Sequence, residues 1–241
     1  MANLYGPRIV TDGLVLHLDA GNSKSYPSSG STWYDLSGQD NHLYWTSPAP
    51  NFTTYQNVSV IDTSTTYTSL RPVISTTYNG FRTGSQTYSV CSFFRPNATT
   101  SSKILFSFGP ANSTCSGQNI HPIAIGGGGK FVGGACGGLG TWANSTGATP
   151  TTNKFWYVCS TYDGTTERIY VDGVLDKSNS MTSSTPVSSN NKISVGWIRD
   201  DGASYGMNAS ISNISVYTNK VLSLQEIVQN YNALKGRFGL T

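Results

Sequence analysis

The sequence predicts an all-β protein, and three observations lead there. Ser and Thr are abundant, 33 and 28 of 241 residues or about a quarter, while charged residues make up only 11%, against roughly 25% in a typical soluble domain. Large apolar groups are plentiful, with 14 Tyr, 9 Phe and 5 Trp, too many to leave in water, which excludes a disordered chain. Apolar residues recur with period two in short runs separated by Gly-containing turns. The formal net charge is +3 and the basic residues are scattered, so there is no nucleic-acid footprint and no nucleic-acid partner is expected.

Each element has its own local signal. Leu14, Leu16 and Leu18 alternate with Val15, His17 and Asp19 to form the first strand. Further strands are expected over Tyr88–Phe94, Ile104–Phe108, Phe155–Thr161, Arg168–Val171, Lys192–Ile198 and Ala209–Tyr217. Asp163-Gly164 marks a hairpin between two of them and Asp172-Gly173 a second tight turn. Asp62–Thr77, rich in Ser and Thr, and Gly126–Gly140, with nine Gly in fifteen residues, read as weakly structured. Gly126–Gly129 is followed by neither G-K-[ST] nor a helix signal, so it reads as a turning surface loop rather than a phosphate cradle. One helix is expected near the end. Ser223 and Glu226 make an S-x-x-E capping box, with Leu222 and Ile227 placed as its hydrophobic staple. Leu224, Ile227, Val228, Tyr231 and Leu234 follow with helical spacing, and Gly236 is the expected C′ residue. This helix should pack on the sandwich and close it.

No linker or repeat divides the chain, so residues 1–241 read as one domain, with 1–12 as an N-terminal arm. Its apolar tip, Met1–Gly6, is a segment that would lie on a neighbouring subunit. The start shows no secretory signal, and no run approaches the roughly 20 apolar residues of a membrane helix, so membrane insertion and ordinary export are not expected. The four cysteines form no C-x-x-C pair, against a zinc ribbon or thioredoxin-type motif. Cys115 and Cys136 flank the Gly-rich stretch and are candidates for a bridge. Cys91 and Cys159 lie in strand-like runs and are expected as core thiols.

Several segments resemble a known family. Gly13-Leu-Val-Leu-His-Leu-Asp19-Ala, Ser25-Tyr26-Pro27 and Trp33-Tyr-Asp35-Leu-Ser-Gly38 are similar to the opening of a concanavalin A-like, laminin G-type jelly roll. Phe155-Trp156-Tyr157-Val158, Tyr162-Asp163-Gly164 and Ile169-Tyr170-Val171-Asp172-Gly173 resemble its central hairpin. Ile211-Ser-Asn-Ile214-Ser-Val216-Tyr217 and Leu222-Ser-Leu-Gln-Glu226-Ile resemble its last strand and closing helix. The segments Gly6-Pro7-Arg8-Ile9-Val10-Thr11-Asp12-Gly13 and Asn230-Tyr231-Asn232-Ala233-Leu234-Lys235-Gly236-Arg237-Phe238-Gly239-Leu240 resemble versions found in structural proteins of tailed phages and large DNA viruses. The resemblance implies a two-sheet antiparallel jelly-roll sandwich of concanavalin A-like fold and a tail, fibre or capsid-surface role.

The fold also hosts glucanases, whose catalytic carboxylates alternate on one strand, about 5–5.5 Å apart in retaining enzymes. Here there are only two glutamates, Glu167 and Glu226, and no E-x-D-x-E pattern. The histidines His17, His42 and His121 sit in unrelated contexts, no G-x-S-x-G elbow occurs, and no spacing suits zinc. An enzyme is therefore not expected. Calcium is the cofactor the loops suggest, because it takes six to eight oxygen ligands. One oxygen-rich turn holds Asp35, Ser37, Asp40 and Asn41; a second holds Asp200, Asp201 and Asn208. Glycan recognition uses aromatic faces together with Asp and Asn on loops. The candidates are Tyr44 and Trp45 after the Asp35 turn, Trp142 beside Asn144, and Tyr205 near Asp200 and Asp201. Trp33, Trp156 and Trp197 sit in patterns that favour the core. Seven N-x-[ST] sequons, at Asn51, Asn57, Asn97, Asn112, Asn144, Asn208 and Asn213, are barely more than the nearly five that 19 Asn and this Ser/Thr content give by chance.

The sequence thus reads as a non-enzymatic virion structural protein displayed on the particle surface. Other virion proteins, host-surface polysaccharide and further copies of the chain are its expected partners. A free-standing lectin and an atypical glycoside hydrolase are the alternatives.

Overall fold

The computed structural model describes residues 7–45, 51–63, 87–99, 103–110, 120–135, 143–144, 148–180, 191–196 and 206–240. In chain order the strands begin with β1 (Leu14–Asp19), β2 (Thr32–Trp33), β3 (Leu43–Tyr44), β4 (Asn51–Tyr55) and β5 (Val58–Asp62). There follow β6 (Tyr88–Pro96), β7 (Lys103–Pro110), β8 (Ile120–Ile125), β9 (Phe131–Ala135) and β10 (Ala143–Asn144). The last are β11 (Trp156–Tyr162), β12 (Thr166–Val171), β13 (Val174–Ser180), β14 (Asn191–Val195) and β15 (Ala209–Thr218), before helix α1 (Leu224–Leu234).

Two antiparallel sheets result. The larger runs β13-β12-β11-β6-β15-β5-β4, with β1 also paired to β15, and the smaller runs β10-β9-β8-β7-β14. The inner faces meet in one core. Leu16, Leu18, Val90, Phe94, Val158, Ile169, Ile214 and Val216 come from the larger sheet, and Leu105, Phe106, Ile123, Ile125, Phe131 and Ile193 from the smaller. Period-two alternation puts the intervening residues on the far side of the larger sheet, where Cys91, Phe93, Tyr157, Cys159, Tyr170 and Tyr217 form a second cluster with Leu222 and Ile227. That face is therefore covered as well, and α1 is the third layer. Covering on both sides is why every residue of β15 is buried.

The hairpins obey their turn residues. Asp163 N donates to Thr166 O at 3.2 Å between β11 and β12, and Asp172 and Gly173 adopt φ of 50° and 83° between β12 and β13, the left-handed pair that a type I′ turn requires. The Ser223 capping box forms with both of its bonds. Leu222 and Ile227 are buried together, whereas Leu224 at the first helical position stays exposed.

Four expectations are corrected. Residues 126–135 are ordered as a hairpin, because Gly126 N donates to Lys130 O at 2.9 Å and turns β8 directly into β9. The chain does not stop its helical winding at Gly236. It continues through a 3₁₀ turn, Lys235–Phe238, and ends at Gly239 with φ 65°, held by Phe238 stacking on Phe93 at 4.2 Å between centroids. Residues 7–12 belong to the body rather than to an arm. Val10 is buried in the second cluster, its N–H donates to Asn230 Oδ1 at 2.8 Å, and its carbonyl accepts the Tyr217 hydroxyl at 3.0 Å. Cys91 and Cys159 are not free thiols: they face each other across β6 and β11 and are joined in a disulfide. Cys115, Cys136, Trp197 and Met1–Gly6 lie outside the described residues. No described helix is long and apolar enough to cross a membrane.

Candidate functional site

The short strands β2 and β3 form a ribbon in which Trp33 faces Leu43 and Thr32 faces Tyr44. Alternation sends Trp33 and Leu43 to one side, where both are fully buried in the core. Trp45 stacks on Trp33 at 5.9 Å with the planes 20° apart, and Tyr26 meets Trp45 edge-on at 5.9 Å. The opposite side of the ribbon carries Tyr34, His42 and Tyr44. Tyr34 is 41% and Tyr44 42% exposed, with His42 half-buried between them at centroid distances of 5.2 Å and 6.5 Å. Two part-exposed tyrosine rings, set edge-on to His42 with planes 72° and 64° from it, are thus presented to solvent by a ribbon whose back is fixed in the core.

Asp35 holds this ribbon in place. Its Oδ1 accepts the N–H groups of His17 at 2.8 Å and Ser37 at 2.9 Å, and its Oδ2 accepts the Ser37 hydroxyl at 2.6 Å and Asn41 N–H at 3.1 Å. Four donors fill the roughly four lone-pair sites of a carboxylate. The Asn41 amide donates in turn to Val15 O at 2.7 Å, tying the loop to β1. The oxygen-rich turn read from sequence as a calcium loop is therefore closed by hydrogen bonds within the chain, with Asp40 exposed beside it at φ 57°. No group of three or more His, Cys, Asp or Glu suited to a metal occurs among the described residues.

The ribbon brings Tyr44 together with Tyr34 and His42, which sequence reading passed over. Trp45 turns a ring face to Trp33, so packing is its evident role. Trp142, Asp200, Asp201 and Tyr205 lie outside the described residues, and of Asn144 only the backbone, in β10, is described.

The glutamates are in unlike places. Glu226 accepts from Ser223 N–H at 2.8 Å and pairs with Lys220 at 2.7 Å. Glu167 lies between the sheets, fully buried, on the same face of β12 as Ile169 and Val171. Its Oε1 accepts the hydroxyls of Ser160 at 2.8 Å and Tyr88 at 3.3 Å, while Oε2 has no partner. Burial pushes this carboxyl up to about 7, against the pull of the Ser160 and Tyr88 donors. His17, on the opposite face of the larger sheet, shares a hydrogen bond with Ser215 Oγ at 2.9 Å, and burial holds its imidazole below the ordinary value despite nearby Asp19 and Asp35.

A family profile described as the concanavalin A-like lectin/glucanases superfamily matches residues 62–228. The chain belongs to this superfamily. The Tyr34–His42–Tyr44 row lies ahead of the matched segment. Among solved structures, the chain is similar to domain 4 of AbnA, a GH43 extracellular arabinanase from Geobacillus stearothermophilus, in complex with arabinotriose. The identity is 15% over 90% of this chain and 98% of that domain, with a TM-score of 0.63. It is also similar to Trypanosoma rangeli sialidase in complex with sialic acid, at 13% identity over 93% of this chain and a TM-score of 0.60, where it spans only 33% of the sialidase chain. At these identities the likeness concerns the sandwich. No curated protein matches the chain.

Proposed function

We propose that this concanavalin A-like domain is a non-enzymatic glycan-binding module displayed on the surface of a virus particle, as a capsid decoration, tail or fibre component. The observation that carries the binding part is the solvent-facing aromatic row on a ribbon anchored by Trp33 and Leu43. Binding residues placed on loops by a rigid scaffold are the usual arrangement, because the scaffold has already lost the entropy that binding would otherwise cost. The arabinotriose complex of a similar fold that this chain spans almost whole supports a sugar as the ligand. Asp200, Asp201 and Tyr205, and Trp142 with Asn144, remain part of this proposal as further sugar or calcium contacts.

The non-enzymatic part is supported by where both glutamates and Asp35 are committed. Glu226 caps a helix, Asp35 organises a loop, and Glu167 is enclosed between sheets. The virion part is supported by the viral resemblance of two terminal segments that meet in the fold, where Val10 N–H donates to Asn230 Oδ1. A glycan array of the purified protein, run with calcium and with EDTA, tests the binding reading. Saturable binding is the expected result, and loss in EDTA would assign calcium to it. Reducing-sugar release from a bound polysaccharide would contradict the non-enzymatic reading. Absence of antibody labelling on intact, purified particles that contain the protein would contradict surface display.

A further inference from the structure

We infer that the outward face of the β2–β3 ribbon is a subsite for an uncharged oligosaccharide, with Tyr34 and Tyr44 as stacking faces and the His42 Nε2–H as the donor that orients a sugar hydroxyl. This rests on the glycan-binding reading and adds to it the residues and the chemical class of ligand.

The donor is set by the fold. The backbone N–H of Asp35 donates to His42 Nδ1 at 3.1 Å. A ring nitrogen that accepts a hydrogen bond carries no proton, so the neutral imidazole holds its proton on Nε2. Asp35 cannot turn away, because its side chain is itself held by His17, Ser37 and Asn41. The platform is equally fixed. Tyr34 N–H donates to Ser25 O at 2.7 Å, Ser25 Oγ donates to Tyr34 O at 2.6 Å, and Trp45 N–H donates to Ser31 O at 2.8 Å. Two exposed rings and one preset donor leave little to order when a sugar ring arrives.

Charge decides the class. Anionic sugars call for Arg or Lys, whose charge-assisted bonds to carboxylate or sulfate are the strong ones. The segment 31–45 has no Lys or Arg and contains Asp35 and Asp40. Aromatic rings elsewhere do carry cations: Arg95 lies over Tyr55 at 3.8 Å and Lys154 over Trp156 at 3.5 Å. A face with part-exposed rings and a neutral N–H donor suits hydroxyls and C–H surfaces, and segment 31–45 offers no cation to the carboxylate of a sialate or uronate.

The test is calorimetric titration of the purified full chain with arabinotriose, cellotriose, mannotriose and lactose, with 3′-sialyllactose as the charged counterpart of lactose. Tyr34→Ala, Tyr44→Ala and His42→Asn are measured in parallel. Asn keeps an acceptor for the Asp35 N–H and has no donor at the Nε2 position, so it separates ligand contact from loop support. The expected result is saturable binding of at least one uncharged sugar, no tighter binding of 3′-sialyllactose than of lactose, and a loss on the order of tenfold in each variant at unchanged melting temperature. Binding of 3′-sialyllactose without lactose overturns the ligand class. Uncharged-sugar binding undiminished in all three variants overturns the site and leaves the glycan-binding reading standing. Failure of every sugar here and on the array overturns both.

Discussion

A carboxyl enclosed between two sheets, as Glu167 is, is stable there chiefly as the neutral acid, since burial disfavours the charged form. Its folded-state value of about 7 lies above the ordinary 4.5. The sign of the linkage follows. The stability tied to the bound proton is fully present below about pH 4.5, where the unfolded chain also holds it, and is lost as pH rises through about 7. The loss is on the order of 3 kcal/mol. Urea denaturation at pH 5 and pH 8 should therefore show the wild type losing stability relative to Glu167→Gln; equal losses in both proteins would refute it. Gly133 makes room for this carboxyl. A Cβ there would meet Glu167 Oε1 at 2.5 Å and the Pro122 carbonyl at 2.8 Å. Gly133→Ala should accordingly destabilise by about 1–3 kcal/mol, the usual cost of overpacking, read as a lower urea midpoint. Period-two spacing from Ile169 and Val171 puts Glu167 on the core face of β12, although a carboxyl is an unusual residue there. That it is fully enclosed follows from the packing of β12 against the opposite sheet, which the local sequence does not carry.

At the scale of elements, the joint between the start of the chain and α1 depends on Asn230. Its Oδ1 accepts Val10 N–H and its Nδ2 donates to the Tyr217 hydroxyl at 3.0 Å, all buried. Asn230→Ala strands the Val10 N–H and should cost about 1–3 kcal/mol. Ser223→Ala removes the acceptor for Glu226 N–H at 3.3 Å and should cost about 1 kcal/mol. Thermal melts read both, and Asn230→Ala falling no further than Ser223→Ala would contradict the joint's role. These two residues also show what was legible. The capping box and the Asp163-Gly164 and Asp172-Gly173 turns are local devices, spelled out within four residues of chain. Asn230 meets Val10 across 220 positions, so the docking of residues 7–12 has no local signal and reads as an arm. The Cys91–Cys159 bond needs the register of β6 on β11, which composition does not carry. The ribbon of β2 and β3 is two residues on each side, too short for periodicity, so Tyr44 stands out only as an aromatic near a turn and nothing local joins it to Tyr34 and His42.

For the whole molecule, three layers divide the labour. The smaller sheet and the inner face of the larger one make the core. The outer face of the larger sheet is occupied by α1, the 3₁₀ turn and residues 9–10. The ribbon, pinned to the core by Trp33 and laced to β1 by Asp35, is left to present tyrosines to solvent. Burial of large side chains on both faces of the larger sheet leaves the ribbon standing on a packed scaffold. The most direct measurement of the central claim is a ¹H–¹⁵N spectrum of the labelled chain titrated with the uncharged oligosaccharide that binds best. The expected result is saturable shifts concentrated in residues 32–44, with the amides of Tyr34, Asp35, His42 and Tyr44 among the largest and those of α1 unmoved. Shifts concentrated elsewhere on the sandwich, or none at saturating sugar, would contradict it.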